Sequence, residues 1–256
     1  MVSWNLNSWQ QPSEQSRAAV WSFLENELQA DVGLVQEAGV PPVAAAKRVG
    51  QLIGGSRDWG TWVVGFTTEV NPVREAKGAY STLPVELTTW RPGTAAVARI
   101  DGARLTVASL YGLQEHGYAH PAMNRTVADL SLLLDDPAHV GRLVLAGDLN
   151  MTTQWTGTQG SYRGIDGAVL DQIRAFGLAD LVSDQAPGPL SGCGCDDGVA
   201  CRHQQTHWQP NSTRPWQNDY LFASTELAQV VTLTVLPQAD VGTLSDHAPL
   251  IADFDL

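Results

Sequence analysis

The sequence predicts an α+β fold in which helices pack on the outside of two β-sheets, and three observations lead there. Short β-rich runs with few polar residues outnumber segments of helical spacing. The helical segments fall between the strands and do not form a block of their own. Hydrophobic residues make up 43% and charged residues 16% of the 256 residues, enough apolar mass for a sizeable core and too little charge for disorder.

The first helical pattern is Val20, Phe23, Leu24 and Leu28, which recur at i, i+3, i+4 and i+8, with Ser13 placed to cap the start. Strand runs follow at Val32–Gln36, Thr61–Phe66, Ala95–Ile100 and Leu105–Leu110. Met123, Val127, Leu130 and Leu134 repeat the helical spacing before a strand at Leu143–Ala146. Val169, Ile173 and Phe176 mark a third helix, and the last strands are Tyr220–Ala223, Val230–Val235 and Leu250–Phe254. From Gln185 to Arg214 the chain is rich in Gly, Pro, Cys, His and Gln without apolar periodicity. This predicts a long inserted loop at about 185–214, and long ordered loops are usually functional. No repeat, low-complexity tract or linker interrupts the pattern, so residues 1–256 are expected to form a single domain.

Composition narrows the function. No apolar run is long enough to span a membrane. The start, Met1-Val2-Ser3-Trp4-Asn5, lacks the basic and apolar parts of a signal peptide, so a cytoplasmic protein is expected. The net charge of −12 argues against a broad basic face for sequence-independent DNA binding. Acidic metal ligands count as negative in that sum, however, and a bound ion reverses the local sign.

Polar clusters recur at the ends of the apolar strands. Asn5 and Asn7 follow Val2-Ser3-Trp4, Glu37 closes Val32–Gln36, and Asp148 and Asn150 follow Leu143–Gly147. Asp219 opens Asp219-Tyr220-Leu221-Phe222, and Ser245-Asp246-His247 precedes the final strand. Singly, each reads more simply as a turn residue. Five in succession at strand ends point to one rigidly held site.

The ordered set Trp4-Asn5-Leu6-Asn7, Gln36-Glu37, Tyr111-Gly112, Gly147-Asp148-Leu149-Asn150, Asn218-Asp219-Tyr220 and Ser245-Asp246-His247 resembles the endonuclease/exonuclease/phosphatase superfamily. The resemblance runs from Trp4 to the final strand. It implies a DNase I-like four-layer α/β sandwich with the site at one end of two packed sheets. By the same resemblance, Glu37 is the main Mg²⁺ or Mn²⁺ ligand, and such hard ions prefer carboxylate oxygen. Asn5 and Asn7 support metal and phosphate, Asp148 orients or deprotonates the attacking water, and Asn150 bonds a phosphate oxygen as charge develops. His247 acts on the phosphate as acid/base or as positive charge, and Asp219 orients it and favours its protonated form. Asp246 steadies this end of the cleft or approaches a second metal, the number of metals being left open. Tyr111 is expected to face the phosphate, with a buried core tyrosine as the alternative.

The inserted loop carries all three cysteines, as Cys193-Gly194-Cys195 and Cys201-Arg202-His203. Cys193, Cys195, Cys201 and His203 are candidate ligands of a structural zinc, though the spacing matches no common finger or ribbon. A disulfide is disfavoured in a reducing compartment, and a metal-free loop is the plain alternative. Arg202, His207 and Arg214 are candidates to hold phosphates, and Trp208 or Trp216 to stack on a base, with core packing favoured for either tryptophan alone. Asn124 and Arg125 are further candidates to line the cleft, which a capped, solvated helix explains equally well.

The leading functional expectation is a Mg²⁺- or Mn²⁺-dependent nuclease cleaving DNA or RNA. The alternative is a phosphatase or phosphodiesterase acting on a nucleotide, inositol phosphate or phospholipid headgroup, which the low pI favours. A catalytically silent binding module is disfavoured, because it has no need of this whole set.

Overall fold

The computed structural model describes residues 1–42, 47–73, 75–78, 81–84, 91–115 and 117–256. Its strands, in chain order, are β1 (Val2–Asn5), β2 (Val32–Ala38), β3 (Lys47–Gly54), β4 (Arg57–Gly65), β5 (Asn71–Pro72), β6 (Glu75–Gly78) and β7 (Ser81–Pro84). They continue as β8 (Ala95–Ile100), β9 (Leu105–Tyr111), β10 (Leu143–Asp148), β11 (Leu178–Asp180), β12 (Asp219–Ser224), β13 (Val231–Val235) and β14 (Leu250–Phe254). The helices are α1 (Glu14–Ser22), α2 (His120–Asp129), α3 (Ser131–Leu134), α4 (Pro137–Val140), α5 (Gly160–Ala175), α6 (Leu181–Asp184), α7 (Thr225–Ala228) and α8 (Gln238–Val241).

Two six-stranded sheets result, ordered β13-β14-β1-β2-β4-β3 and β11-β12-β10-β9-β8-β5, with β6 and β7 forming a separate hairpin. Alternation along each strand divides its side chains between two faces. Val32 and Leu34 of β2, Val63 of β4 and Leu250 of β14 meet Ala98, Val107, Val144 and Leu221 of the other sheet. The opposite face of the first sheet, with Trp4, Val35 and Val64, packs on Val20, Trp21 and Leu24 of the α1 region. The outer face of the second sheet, with Leu110, Leu145 and Phe222, packs on Met123 and Val127 of α2 and on Val169 and Ile173 of α5. Helix, sheet, sheet and helix make the four layers that were expected.

The registers bring the polar strand ends together. β1 runs parallel to β2 with Asn5 opposite Gln36, and β9 runs parallel to β10 with Tyr111 opposite Asp148. β12 runs antiparallel to β10 with Asp219 opposite Asp148. β14 runs antiparallel to β1, so the residues just before it lie toward the Asn5 end. Hydrogen-bond pairing thus lines up these clusters at one end of each sheet, and the packing of the two sheets brings the two ends together.

The structure departs from the periodicity reading in specific places. The first helix is α-helical only to Ser22, and Phe23–Glu27 continue as a π-turn closed by the Leu28 amide donating to the Phe23 carbonyl at 2.9 Å. The second pattern breaks at Leu130 into α2 and α3. Strands β3, β5 and β11 had not been expected. β3 and β5 are edge strands with half-exposed or exposed residues, so neither offers an apolar run, and β11 is only three residues long. The chain from α6 to β12 holds one short turn of regular structure, Gly198–Ala200.

Candidate active site

Tight backbone approaches fix where the strand ends deliver their side chains. Gly147 in β10 has φ of +151°, and a Cβ there would stand 1.9 Å from the Leu110 carbonyl oxygen of β9. Gly112, just past β9, would place a Cβ 1.9 Å from the Leu149 carbonyl oxygen. Only glycine lets β9 and the turn after β10 close up beside Asp148. Asn7, Glu37 and Asn150 all have left-handed backbone, with φ of 47°, 46° and 49°. Such conformations are uncommon for residues with side chains and concentrate at functional sites. Glu37 owes its own to a bulge, because the β2–β4 register shifts between Val35 and Ala38.

Asp148 is buried at the centre. Its Oδ2 accepts from Asn5 Nδ2 at 2.8 Å and from Asn150 Nδ2 at 3.0 Å, and its Oδ1 accepts from the Asn150 amide at 2.8 Å. His247 Nδ1 lies 2.9 Å from Asp219 Oδ2, and its Nε2 lies 3.9 Å from Asp148 Oδ2. The ring is anchored from behind: Trp4 Nε1 donates to the His247 carbonyl at 2.8 Å, and the His247 amide donates to Ser245 Oγ at 3.1 Å. His207 stacks on His247 with centroids 4.4 Å apart, and its Nε2 lies 3.8 Å from Asp246 Oδ2. Asn7 Nδ2 donates to Asp246 Oδ1 at 2.7 Å, which ties the first motif to the last. Across the cleft, Tyr111 Oη donates to Glu37 Oε1 at 2.7 Å.

Burial and charge set the protonation states. Burial drives the Asp148 carboxyl up to about 8; the His247 charge opposes this, while Asp219 and Glu37 add to it. Burial alone would lower His247, but Asp219 and Asp148 outweigh it and raise the imidazole to about 10, so the ring is cationic at neutral pH. Burial raises Glu37 despite the Tyr111 hydrogen bond, and burial together with the Glu37 charge pushes the Tyr111 phenol well above its ordinary value. Burial would also raise Asp246, yet the His207 ring 3.8 Å away and the charge of His247 hold it below its ordinary value.

Glu37, Asn7, Tyr111, Asp148, Asn150, His207, Asp246 and His247 line one pocket. The Asn7 amide oxygen is buried with no hydrogen-bond partner among the described residues, and Glu37 is a buried carboxylate facing the same pocket. Both are oxygen donors of the kind hard divalent ions take, so the residues present fit Mg²⁺ or Mn²⁺. Asn5 is held mainly by protein: its amide nitrogen serves Asp148 and its oxygen accepts from the Asn7 amide at 2.9 Å. Asp246 sits among Asn7, His207 and His247, on the imidazole side of the pocket.

Several expected substrate contacts are placed elsewhere. Arg214 is turned into its own loop, where Nε donates to the Cys193 carbonyl at 2.7 Å and the guanidinium lies 4.4 Å over the Trp216 ring. Arg202 is exposed and donates to the Cys201 carbonyl at 2.9 Å, away from the pocket. Asn124 and Arg125 point outward from α2 and do not line the pocket, because the buried face of that helix is Met123, Thr126 and Val127. Trp208 packs in the core beside α1, as favoured for a lone tryptophan. Trp216 walls an adjoining cavity with Trp155, Tyr118 and Tyr162, which shares Gln114 and Asn150 with the first pocket.

The sequence reading missed Trp9, Arg57, Trp59 and Gln114 as pocket residues. Trp59 meets Tyr111 edge-on at 5.3 Å between centroids, and Gln114 Nε2 donates to Asn150 Oδ1 at 2.9 Å. None belongs to one of the motifs read from the sequence: Arg57 and Trp59 lie at the start of β4, before its apolar run, and Gln114 lies in a loop.

Comparison with known proteins agrees with this architecture. A family model described as Endonuclease/Exonuclease/phosphatase family matches residues 2–247. No curated protein matches the chain. Among solved structures, an AP endonuclease from Archaeoglobus fulgidus superposes with a TM-score of 0.65 at 18% identity, covering 100% of this chain and 98% of that one. The 3'-5' exonuclease NExo from Neisseria meningitidis gives 0.64 at 17% identity, with coverage of 100% and 99%. AP endonuclease LMAP from Leishmania major gives 0.66 at 16% identity, with coverage of 97% and 85%. The fold is therefore DNase I-like.

Proposed function

The chain belongs to the Endonuclease/Exonuclease/phosphatase family, and from that premise we propose that it is a Mg²⁺- or Mn²⁺-dependent nuclease hydrolysing phosphodiester bonds in DNA or RNA. The observation that carries this is Asp148, bonded by Asn5 and Asn150, facing the Asp219-oriented imidazole of His247 across 3.9 Å. A phosphoryl group seated in the pocket over this pair meets the Asp148 carboxyl group, which serves the attacking water, and the neighbouring His247 and Asn150 donors. Asp148 orients that water and takes its proton. The Asn150 amide, steadied by Gln114, donates to a non-bridging oxygen as charge develops. His247, held cationic by Asp219, offers Nε2–H to the phosphate. Tyr111 remains a protonated donor and fixes Glu37. Glu37, with Asn7 beside it, would hold the divalent ion, which supplies Lewis-acid stabilisation of the phosphate oxygens. His207 and Asp246 position His247 from the side through the ring stack and the carboxylate.

The aromatic cavity next to Asn150 supports a polymeric substrate. Trp155, Tyr162, Trp216 and Tyr118 lie within reach of a nucleotide adjoining the scissile phosphate, and stacking on bases is tolerant of sequence. The structural neighbours described as AP endonucleases and a 3'-5' exonuclease are consistent with that choice.

A second reading, a phosphatase or phosphodiesterase for a small phosphorylated molecule, is favoured by one observation. Arg57 is the only Lys or Arg lining the pocket among the described residues, which leaves little to grip a long phosphate backbone. The test is a substrate panel with purified protein in Mg²⁺ or Mn²⁺. Cleavage of labelled single- or double-stranded polynucleotide, lost in Asp148→Asn, supports the nuclease. Turnover of nucleotides or inositol phosphates with polynucleotides untouched would replace it by the second reading, and binding without turnover by a silent module.

A further inference from the structure

The long loop brings Cys193, Cys195, Cys201 and His203 together, although the last lies ten positions after the first. Their ligand atoms all lie within 4.8 Å of one another. None of the cysteines is in a disulfide, and Cys193, Cys201 and His203 are buried. His203 Nδ1 lies 3.5 Å from Cys193 Sγ and 3.4 Å from Cys201 Sγ. A tetrahedral zinc with ordinary Zn–S and Zn–N bonds has an N···S edge of about 3.5 Å, so both separations already match one ion's shell.

The surroundings are built around the same point. His203 Nε2 lies 2.8 Å from Thr153 Oγ1, the outer partner that fixes a ligating imidazole. With Nε2–H donated to Thr153, the Nδ1 lone pair faces both sulfurs. Gln154 Nε2 donates to Cys193 Sγ at 3.0 Å, which suits a thiolate. Gly194, between the first two cysteines, has φ of +65°, the left-handed turn that lets both sulfurs point the same way. A loop that buries two thiols and an imidazole without a disulfide has no apolar core of its own to explain that burial.

We propose that Cys193, Cys195, Cys201 and His203 bind one Zn²⁺ in a closed, non-catalytic shell that holds the loop against the sandwich. The thiol protons pass to solvent on binding, and the four side chains leave no open position for a substrate. The anchored loop then positions the wall of the aromatic cavity. Arg214 donates to the Cys193 carbonyl and lies over Trp216, while the Gln217 amide donates to Gln154 Oε1 at 2.6 Å. This site is separate from the catalytic pocket and stands whatever that pocket cleaves.

Elemental analysis of the intact 256-residue chain after gel filtration in zinc-free buffer is the test. One equivalent of zinc per chain is expected, and it should persist in Glu37→Gln, which alters the other pocket. Exchange to Co²⁺ should give the visible bands and sulfur-to-metal charge transfer of a tetrahedral thiolate site. Cys195→Ser changes the least buried ligand and should weaken zinc retention beyond the roughly 10–100-fold loss expected for the outer-shell variant Thr153→Val. Folded wild type that holds no zinc and takes up none on titration would overturn the proposal. So would a disulfide among the three cysteines, read as one free thiol after denaturation, or zinc that disappears in Glu37→Gln.

Discussion

At Asp148, burial and hydrogen bonding act in opposite directions: the sandwich core disfavours the anion, and three amide donors and the His247 charge favour it. The balance sits at about 8, and because a general base must be ionised, activity should rise as pH climbs toward that value. Asp148→Asn keeps the shape and the Asn5 contact but removes the acceptor. It should lower kcat by about 10²–10⁴-fold with little change in melting temperature, measured by steady-state kinetics and calorimetry. His247 is surrounded by Asp219, Asp148 and Asp246 and stacked on His207. Asp219→Asn removes the largest raising charge, so the His247 ring should titrate well below the wild-type value of about 10, read by NMR of the imidazole. The sign for stability follows. A histidine whose folded pKa is raised stabilises the fold below its unfolded value of 6.5, and that contribution fades as pH rises toward 10. Wild type should therefore lose thermal stability across that window, and Asp219→Asn should show a flatter profile. These residues were legible in the sequence because each stands at or just before a boundary of an apolar strand. Arg57, Trp59 and Gln114 were not, because their approach to the pocket depends on the β4 register and a loop path that no spacing records.

At the level of elements, two parallel pairs, β1–β2 and β9–β10, do the placing, and glycines permit the closeness that this requires. Gly147→Ala would push a methyl group into the Leu110 carbonyl and demand a backbone that alanine rarely adopts. It should destabilise the protein by more than about 3 kcal/mol, measured by denaturant unfolding, or leave it insoluble. A destabilisation under about 1 kcal/mol would show that the sheet yields there. The buried central strands were visible as apolar runs because both faces are covered. The edge strands β3 and β5 were hidden because half-exposed strands follow no hydrophobic rule strong enough to read. The break at Leu130 was invisible for another reason: the apolar spacing of α2 continues through it into α3, so burial conceals the change in backbone. In the long loop, composition announced a grouping of Cys and His, while the inward turn of Arg214 depends on the folded loop's own geometry.

Across the whole molecule, four layers hold an acidic, imidazole-rich pocket at one end of a chain with net charge −12. Such a charge repels a polyanion at long range, so polynucleotide binding on the proposed reading would rest on local contacts. If polynucleotide binding uses Arg57 and few other cations, log KM should change with log salt by only about 1–2 for duplex DNA, since each phosphate neutralised contributes about 0.9. A slope near that of a strongly basic binder would point to a cationic surface outside this pocket. No helix among the described residues is long and apolar enough to cross a membrane. The most direct measurement of the central claim is cleavage of end-labelled DNA and RNA by the purified protein in Mg²⁺ or Mn²⁺, against EDTA and against Asp148→Asn. New fragments are expected only with the wild-type chain and a divalent ion. Cleavage that survives both EDTA and Asp148→Asn, or no cleavage of any polynucleotide under either ion, would contradict it.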